Sequence, residues 1–237
     1  MNLFPTGEAQ VVWRLLRGQP RSDDHRERLQ GFYAPQARHY DAFREKLLAG
    51  RADLVERLCL APGQHVVELG AGTARNLDFI PPGLRAGLGR IDVVDLCPAL
   101  LDEARRRCRA WPNVHVHEDD AARFNPGGTV DRVLLSYALT MMPDWRATLR
   151  NAFRMLRPGG LVGVVDFSLP RAPNSDMPRW QQLFWRRWFA HDGVWLDPAH
   201  GAFLDGLFER ITRIDRRHAL PYVPLLKVPY YLYVGRK

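Results

Sequence analysis

Long apolar runs are absent from this chain of 237 residues. No stretch approaches the roughly 18 apolar residues that a membrane-spanning helix requires, and the N-terminal region has no signal-peptide core. Cysteine is scarce, since Cys59, Cys97 and Cys108 form an odd set without metal-site spacing. The eight histidines include no zinc-binding pattern. We therefore expect reduced thiols, no metal and a cytoplasmic location.

Acidic residues are outnumbered by basic ones, with 26 Asp and Glu against 34 Lys and Arg and a formal net charge of +8. This excess predicts a polyanionic partner, either nucleic acid or an anionic membrane surface. Tryptophan favours the membrane, because Trp180, Trp185, Trp188 and Trp195 crowd around Arg186 and Arg187. Tryptophan beside arginine suits a lipid headgroup boundary. The alternative is a lid helix packed onto the fold.

The stretch 66–76, with the sequence VVELGAGTARN, carries the most specific pattern. Two β-branched residues before Gly70 and Gly72 predict a buried strand that turns sharply into a helix, with a ligand against the backbone. A dinucleotide fingerprint would require a small residue at position 75, where Arg75 stands. The acid before the glycines instead resembles motif I of class I S-adenosylmethionine-dependent methyltransferases. That resemblance implies a cofactor loop made of Glu68, Gly70, Ala71 and Gly72.

A second predicted strand, Arg90 to Asp95, also ends in an acid. Asp95 lies 23 residues beyond Gly72, close to the spacing of about 20 residues for the ribose-binding acid of a βαβ unit. A carboxylate there can accept hydrogen bonds from both ribose hydroxyls. We expect Asp95 and the adjoining Leu96 to contact the cofactor. The alternative makes Asp95 the N-cap of a helix that opens at Pro98.

A third predicted strand, Asn113 to His117, runs into a cluster of acids. In the methyltransferase pattern an acid followed by alanine resembles the site that receives the adenine amino group. The resemblance therefore implies Asp120, with Asp119 as the reserve, next to Ala121. A solvated acidic turn explains the same residues without a ligand.

The remaining pattern completes an alternation of strands and helices. A strand from Asp131 to Tyr137 is followed by a helix from Trp145 to Leu156, a turn over 157–160 and a strand from Leu161 to Asp166. This alternation predicts a doubly wound, mostly parallel α/β sheet, and Ser136 at a strand end is a further cofactor candidate. The resemblance implies seven strands, the last antiparallel. We divide the chain into a helical arm or lid over 1–50 and a cofactor domain over 51–237, with a cap inserted at about 168–210.

A narrower resemblance covers the chain from about Phe32 to its end. It rests on the segments 32–44, 136–144, 184–186, 221–226 and 229–231. These segments resemble the N-methyltransferase of betaine-lipid synthesis. The resemblance implies that three S-adenosylmethionine molecules trimethylate the amine of diacylglycerylhomoserine, an ether lipid, at the inner membrane face. It also implies a candidate partner, the aminocarboxypropyl transferase that makes the homoserine lipid. Residues 1–30 carry little of the similarity.

Three tyrosines are the catalytic candidates. A growing ammonium cation requires aromatic faces and a nearby hydrogen-bond acceptor. Tyr33 and Tyr40 are seven residues apart, about two helical turns, so one helical face could present both to the cofactor and the amine. Tyr137 lies at a strand tip. The alternative is that the first two are half-buried residues of a capping helix, and His39 is a second candidate for the base.

The substrate implied by the resemblance also carries a carboxylate, which calls for a cationic partner. Arg44 and Lys227 are the predicted contacts, while Arg38, Arg216 and Arg217 are also available. Tyrosines near the last strand are expected on the acceptor side, unless they belong to the core of the sheet: Tyr222, Tyr230 and Tyr231.

Other functions remain open at this stage. The substrate could be another amine lipid, a small molecule or RNA, although the chain lacks the Asn- or Asp-Pro-Pro-Tyr motif common in base-amino methylators. A non-catalytic cofactor-binding partner of a lipid enzyme is the second alternative. We expect no nucleic acid partner.

Overall fold

The structure is a computed structural model that describes residues 25–34, 47–168, 177–191, 194, 196–220 and 223–237. Predictions for Arg38, His39, Tyr40, Arg44, Trp195 and Tyr222 lie outside these ranges. The helices are α1 (His25–Tyr33), α2 (Arg51–Arg57), α3 (Pro82–Gly87), α4 (Pro98–Cys108), α5 (Trp145–Met155), α6 (Arg179–His191) and α7 (His200–Leu207). The strands are β1 (His65–Leu69), β2 (Arg90–Asp95), β3 (Val114–Glu118), β4 (Val130–Ser136), β5 (Leu156–Phe167), β6 (Glu209–Leu220) and β7 (Val223–Arg236).

All seven strands form one sheet in the order β3-β2-β1-β4-β5-β7-β6. Strands β1 to β5 run parallel to one another, whereas β7 is antiparallel to both of its neighbours. Helices or turns connect the parallel strands, as crossover connections require. The predicted doubly wound sheet of seven strands with an antiparallel last strand is confirmed.

Strand ends differ from the predictions by small steps. Strand β3 begins and ends one residue later than expected, and β2 matches its prediction. The largest difference is in β5, where Leu156 pairs with Val130 and Leu161 pairs with Arg132. Positions 157–160 bulge out between these pairs, with Gly159 at a positive φ of 76°. The Pro-Gly-Gly turn therefore interrupts a strand that had already begun.

Each face of the sheet has its own core, because side chains alternate along a strand. One face carries Val66, Ile91, Val93 and Leu134 and packs against α2, α4 and α6. The opposite face carries Val67, Leu69, Val133 and Leu135 and packs against α5 and α7. The prediction of helices on both faces is thus met, while the division of the chain at residue 50 remains a prediction. None of the helices in the described ranges is long and apolar enough to cross a membrane.

Helices α1 and α6 border the carboxyl ends of the parallel strands. In α1, Leu29 and Tyr33 pack on Cys97 and Leu100 at the start of α4. In α6, Trp185 is buried and its indole Nε1 donates a hydrogen bond to the Lys227 carbonyl at 3.1 Å. Both helices therefore lie where a ligand of the strand ends would be enclosed.

Candidate functional site

A cavity of about 430 Å³ opens at the carboxyl ends of β1 to β4. Strand order reverses between β1 and β4, and open α/β sheets bind ligands at such a switch point. The cavity brings together many of the predicted side chains: Tyr33, Gly70, Ala71, Gly72, Asp95, Leu96, Asp119, Asp120, Ala121, Ser136 and Tyr137. Among the residues that sequence patterns did not indicate, the wall includes Arg26, Arg51, Asn76, Met141 and Met142.

The glycine loop after β1 is tightly constrained. Gly70 has a φ of 70°, and a Cβ there would lie 2.6 Å from the Ala138 Cβ and 2.9 Å from the Met142 Cε. Gly72 also has a positive φ, of 56°, but its Cβ would meet only the Leu100 side chain at 3.8 Å. The amides of Gly70 and Ala71 both donate to the Val94 carbonyl, at 2.8 and 3.0 Å. The loop therefore presents bare backbone at the cavity wall.

Asp95 ties this loop to the start of α4. Its Oδ2 accepts the Gly72 amide at 2.8 Å and its Oδ1 accepts the Cys97 amide at 2.9 Å. Burial raises the pKa of the Asp95 carboxyl, although these amide hydrogen bonds lower it. A carboxylate has about four acceptor positions, so the two amides leave room for ligand hydroxyls. The position thus serves both the helix start and the cavity wall, and the ribose role stays a prediction.

Asp119 and Asp120 line the cavity beyond β3. The Asp119 carboxylate accepts the Asp120 amide at 2.7 Å, and the Asp120 carboxylate accepts the Ala122 amide at 2.9 Å. Each acid therefore stabilises the local turn with one oxygen. The turn interpretation and the ligand interpretation are compatible in this geometry, because each carboxylate keeps a second oxygen.

Glu68 lies beneath the loop, fully buried. Its Oε1 accepts the Asn76 amide group at 2.5 Å, whereas its Oε2 is a buried oxygen with no hydrogen-bond partner among the described residues. Burial raises the pKa of the Glu68 carboxyl to about 7, against the lowering effects of Asn76 and the Arg51 charge. This acid supports the loop from below, and sequence reasoning missed both of its neighbours.

Arg51 is a guanidinium that is only 7% exposed, yet it lines the cavity. It lies at the start of α2, where its Nε donates to the Leu48 carbonyl at 3.2 Å. Its charge lowers the pKa of Glu68 and also that of Tyr137. Arg51 therefore lies between the glycine loop and the end of β4, where it can hold an anionic group. No motif marks it, because α2 precedes the first predicted strand.

Tyr137 has the positive φ of 53° at the tip of β4. Its hydroxyl donates a hydrogen bond to the Ala49 carbonyl at 2.6 Å, and its ring packs on Phe167 with a centroid distance of 4.6 Å. Burial raises the pKa of Tyr137 well above its usual value, so the hydroxyl stays protonated near neutral pH. The ring can form a wall for an acceptor, but the phenolate needed for a base is disfavoured. The adjacent Ser136 Oγ is buried without a partner among the described residues.

Three predicted acceptor residues lie away from the cavity wall. Tyr230 is buried beneath Gly50, whose added Cβ would lie 2.7 Å from the Tyr230 Cε2. Tyr231 points to the opposite face because side chains alternate, and its ring lies 6.5 Å from the His200 ring. Lys227 is exposed on β7. The alternative of a sheet-core role therefore describes the two tyrosines, and the structure does not bring Lys227 to the cavity.

Asp166, at the end of β5, supports the acceptor side and was missed. Its carboxylate accepts the Thr140 amide at 3.1 Å, the Thr140 hydroxyl at 2.7 Å and the Phe167 amide at 2.8 Å. Burial raises the pKa of Asp166 to about 6. These bonds hold the short 3₁₀ turn Leu139–Met141, which places Met141 and Met142 in the cavity wall. An acid that ends an apolar strand was the available signal.

The described ranges contain no group of three or more His, Cys, Asp or Glu side chains arranged to hold a metal ion. The chemistry of the wall instead suits an organic ligand: glycine backbone without side chains, carboxylates, a buried guanidinium and thioether side chains.

Comparison with known proteins adds a family match. Residues 66–160 match the family described as methyltransferase domain. A ubiquinone/menaquinone biosynthesis C-methyltransferase from Roseobacter denitrificans is 28% identical over 167 residues, covering 66% of this chain and 65% of that protein. A demethylmenaquinone methyltransferase from Tropheryma whipplei is 29% identical over 114 residues, covering 48% of this chain and 46% of that protein. The chain thus spans between about half and two thirds of the length of these relatives.

Solved structures share the fold. The N-methyltransferase NodS from Bradyrhizobium japonicum, in complex with S-adenosylhomocysteine, aligns with a TM-score of 0.59 and 16% identity, covering 98% of this chain and 99% of that chain. A phosphoethanolamine N-methyltransferase from Haemonchus contortus, in complex with phosphomonomethylethanolamine and S-adenosylhomocysteine, aligns with a TM-score of 0.68 and 14% identity, covering 92% of this chain and 61% of that chain.

Proposed function

We propose that this chain, which carries a class I S-adenosylmethionine-dependent methyltransferase domain, trimethylates the amine of diacylglycerylhomoserine to form a betaine lipid. The domain and its cofactor follow from the family match over residues 66–160 and from the shared fold. The acceptor is the proposed part. It rests on the resemblance of segments 32–44 and 221–231 to betaine-lipid N-methyltransferases, together with the character of the cavity wall.

The described residues fit S-adenosylmethionine. Gly70 and Gly72 expose backbone that the methionine portion can approach, and Asp95 has acceptor positions left for the ribose hydroxyls. Asp119 or Asp120 would receive the adenine amino group. Arg51 would hold the methionine carboxylate as a buried charge-assisted pair. When bound, the cofactor supplies an electrophilic methyl group on a sulfonium.

The proposal that the acceptor is an amine rests on one observation, the aromatic and thioether wall on the β4 side of the cavity. Tyr33 is 5% exposed and Tyr137 is 6% exposed, and Met141 and Met142 lie in the same wall. Such a wall excludes water and stabilises a growing ammonium cation through ring faces. A quaternary ammonium product has no N–H to donate, so it gains nothing from a polar acceptor at that position.

The chemistry requires alignment more than acid or base strength. Before each transfer the acceptor nitrogen must lose a proton to solvent or a carboxylate, because only the free amine has a lone pair for the methyl carbon. The sulfur of the bound cofactor would leave with the electron pair of its bond to that carbon. Positioning of the two reactants supplies most of the acceleration in such in-line displacements. Tyr137 contributes as a wall rather than as a base, because burial keeps its hydroxyl protonated.

A second candidate is carbon methylation of a quinone precursor. The relative from Roseobacter denitrificans, at 28% identity, is named a C-methyltransferase of ubiquinone/menaquinone biosynthesis, and the relative from Tropheryma whipplei, at 29% identity, is named a demethylmenaquinone methyltransferase. The names of these two relatives also favour a lipid-like acceptor. An apolar wall around Met141 and Met142 suits either acceptor, so the two candidates are separated by product analysis.

The test is mass spectrometry of vesicles containing diacylglycerylhomoserine after incubation with purified protein and S-adenosylmethionine. Successive gains of one, two and three methyl groups support the proposal. Parallel reactions contain demethylmenaquinone, phosphatidylethanolamine or RNA, and exclusive product in one of them assigns the acceptor differently. Cofactor binding measured by calorimetry without any product would favour a non-catalytic partner. Tyr40→Phe and Tyr137→Phe both retaining the wild-type turnover number and also the wild-type KM for the acceptor would overturn the proposed roles of these tyrosines.

A further inference from the structure

One face of α6 combines exposed apolar side chains with arginines. Trp180 is 59% exposed and Leu183 is 55% exposed, and they are two of the three large hydrophobic side chains exposed in the described part of the chain. The other exposed positions of the helix carry guanidinium groups: Arg179, Arg186 and Arg187. At about 100° per residue, these five positions fall within an arc of about 120°. We call this arc the Trp180 face.

The opposite side of α6 is firmly packed. Trp185 and Phe189 are buried at 2% and 4% exposure and stack on each other with a centroid distance of 5.3 Å. The Trp185 indole donates to the Lys227 carbonyl at 3.1 Å. The packing of Trp185 and Phe189 therefore fixes the rotation of α6 and directs the Trp180 face away from this core.

The Trp180 face is connected to the cavity by a row of rings. Phe189 packs on Phe167 with a centroid distance of 4.5 Å, and Phe167 packs on Tyr137 at 4.6 Å. Tyr137 lines the cavity. A surface bound at the Trp180 face is thus separated from Tyr137 in the proposed acceptor wall by the helix itself and by two rings, Phe189 and Phe167.

The charge of α6 points to the occupant. The sequence of the helix, RWQQLFWRRWFAH, contains arginine but neither aspartate nor glutamate. Tryptophan and leucine that emerge between arginines match an interface with an apolar layer beneath anionic groups. Nucleic acid would match the arginines and could stack a base on Trp180, but it offers no apolar layer for Leu183. A second copy of this chain, which is itself basic, would not match the arginines.

We propose that the Trp180 face binds an anionic lipid bilayer, with Trp180 and Leu183 inserted among the headgroups and the three arginines on lipid phosphates. The choice of a lipid as acceptor rests on the proposed function, but the binding of the bilayer itself does not. Docking through α6 would bring the membrane to the aromatic side of the cavity rather than to its carboxylate side.

The experiment measures partition of the full chain onto sedimented vesicles. Vesicles of phosphatidylcholine alone are compared with vesicles in which part of the lipid is phosphatidylglycerol. The anionic vesicles are expected to bind the wild type, and 0.5 M NaCl is expected to weaken that binding because salt screens exposed charges. Equal binding to both vesicle types would overturn the proposal.

Two variants test the two components. Trp180→Ala with Leu183→Ala is expected to weaken partition by about tenfold, from the lost apolar burial. Replacement of Arg179, Arg186 and Arg187 by Gln is expected to weaken it by about 100-fold, at about fivefold for each arginine. The matched control removes the same charge from exposed positions in α4 and directly after its end through Arg105→Gln, Arg106→Gln and Arg109→Gln. This control is expected to change partition by less than about threefold, because α4 packs on β2 and β3 at the other end of the sheet.

Folding and function are followed separately. Calorimetric cofactor binding should be unchanged in all three variants, since none of the substituted residues lines the cavity. An equal loss in the α4 control would show general charge attraction and overturn the assignment to α6. Tight RNA binding that depends on the three arginines, with no vesicle binding, would assign the face to nucleic acid. Vesicle binding without lipid methylation would contradict the proposed function alone, whereas methylation of dispersed lipid without vesicle binding would contradict docking alone.

Discussion

The two sides of the cavity are built from different chemistry. The β1–β3 side consists of exposed glycine backbone and carboxylates, with Asp95 accepting the Gly72 amide at 2.8 Å. The β4–β5 side consists of Tyr137, Met141 and Met142, and its one buried acid, Asp166, faces the supporting turn through the Thr140 hydroxyl. The first side is suited to a polar ligand that stays the same whatever the acceptor is, namely the cofactor. The second is suited to exclude water from a reacting group.

The two sides also differ in how far along the chain their contacts reach. On the polar side, the glycines contact the next strand or loop, as in the bonds from Gly70 and Ala71 to Val94. On the apolar side, Tyr137 bonds to Ala49, which is 88 residues away and precedes β1. The cofactor side is therefore assembled mainly from consecutive βα units, whereas the acceptor side depends on the packing of distant segments. Changes on the two sides should affect different steps.

The largest effect is expected from Gly70→Ala, because this glycine lies where the two sides touch. An alanine at its φ of 70° costs about 1 kcal/mol, and the 2.6 Å approach to the Ala138 Cβ adds an overpacking cost of about 2 to 3 kcal/mol. We expect a loss of about 3 to 4 kcal/mol in the free energy of unfolding and loss of measurable cofactor binding. Denaturant titration and calorimetry check both.

Gly72→Ala is the matched control for Gly70→Ala. It imposes a similar backbone conformation, at a φ of 56°, but its Cβ has only the Leu100 side chain within reach, at 3.8 Å. A loss of about 1 kcal/mol is expected for the apoprotein. Equal destabilisation by the two substitutions would show that the contact between the two sides of the cavity carries no special cost.

Asp95→Ala should give the next largest effect. This effect should be limited to cofactor binding on the polar side. Removal of the carboxylate costs two ribose hydrogen bonds, each of about 1.5 kcal/mol for a charged acceptor. Calorimetry should therefore show an affinity for S-adenosylmethionine about 100-fold weaker. Asp102→Ala, on the exposed surface of α4, should leave the affinity unchanged. An unchanged affinity in Asp95→Ala would leave this acid with its helix-start role alone.

The polar side was predictable from sequence because its determinants are local. The spacing from Gly72 to Asp95 corresponds to one βα unit, so the glycine loop and the acid necessarily reach the same edge of the sheet. Ser136 and Tyr137 were found in the same way, as the end of an apolar strand. For Glu68 the position beside the loop was predicted, but its complete burial was not. The strand pattern does not show that the Asn76 side chain donates a hydrogen bond to it.

The apolar side was not predictable in the same detail. Arg51 and Ala49 precede the first strand and reach the cavity only after α2 has packed on β5. Tyr231 was expected at the acceptor side, but strand alternation in β7 places it on the opposite face. The register of β7 against β5 decides this orientation, and no local pattern encodes that register.

Glu68→Gln tests how much the buried Glu68 carboxylate on the polar side lowers the free energy of unfolding. The dependence of that free energy on pH gives the answer. The folded state retains the Glu68 proton up to a pKa of about 7, whereas the ordinary pKa of an exposed glutamate is 4.5. The unfolded state therefore loses this proton first, and the wild-type free energy of unfolding should fall as pH rises from 4.5 to 7. Gln has no such proton, so the variant should gain about 2 kcal/mol relative to wild type between pH 5 and pH 8. Denaturant titrations at both pH values measure the difference.

The contrary result for Glu68→Gln would be informative. If the variant loses stability equally at both pH values, the Asn76 hydrogen bond and not the buried proton determines the contribution of Glu68.

The smallest effect is expected from Tyr137→Phe. This substitution keeps the aromatic ring on the apolar side and removes only the hydrogen bond from the hydroxyl to the Ala49 carbonyl. The Ala49 carbonyl would lose the donor at 2.6 Å, at a cost of about 1 kcal/mol in the free energy of unfolding. The matched control is Tyr231→Phe, because Tyr231 is also buried but its hydroxyl has no hydrogen-bond partner among the described residues. The control should change stability by less than about 0.5 kcal/mol.

Cofactor affinity should stay within about twofold in both variants, while the KM for the acceptor should rise only in Tyr137→Phe, by about fivefold for the same 1 kcal/mol. Equal losses in the two variants would mean that the bond between Tyr137 and Ala49 does not distinguish the acceptor side from ordinary sheet core.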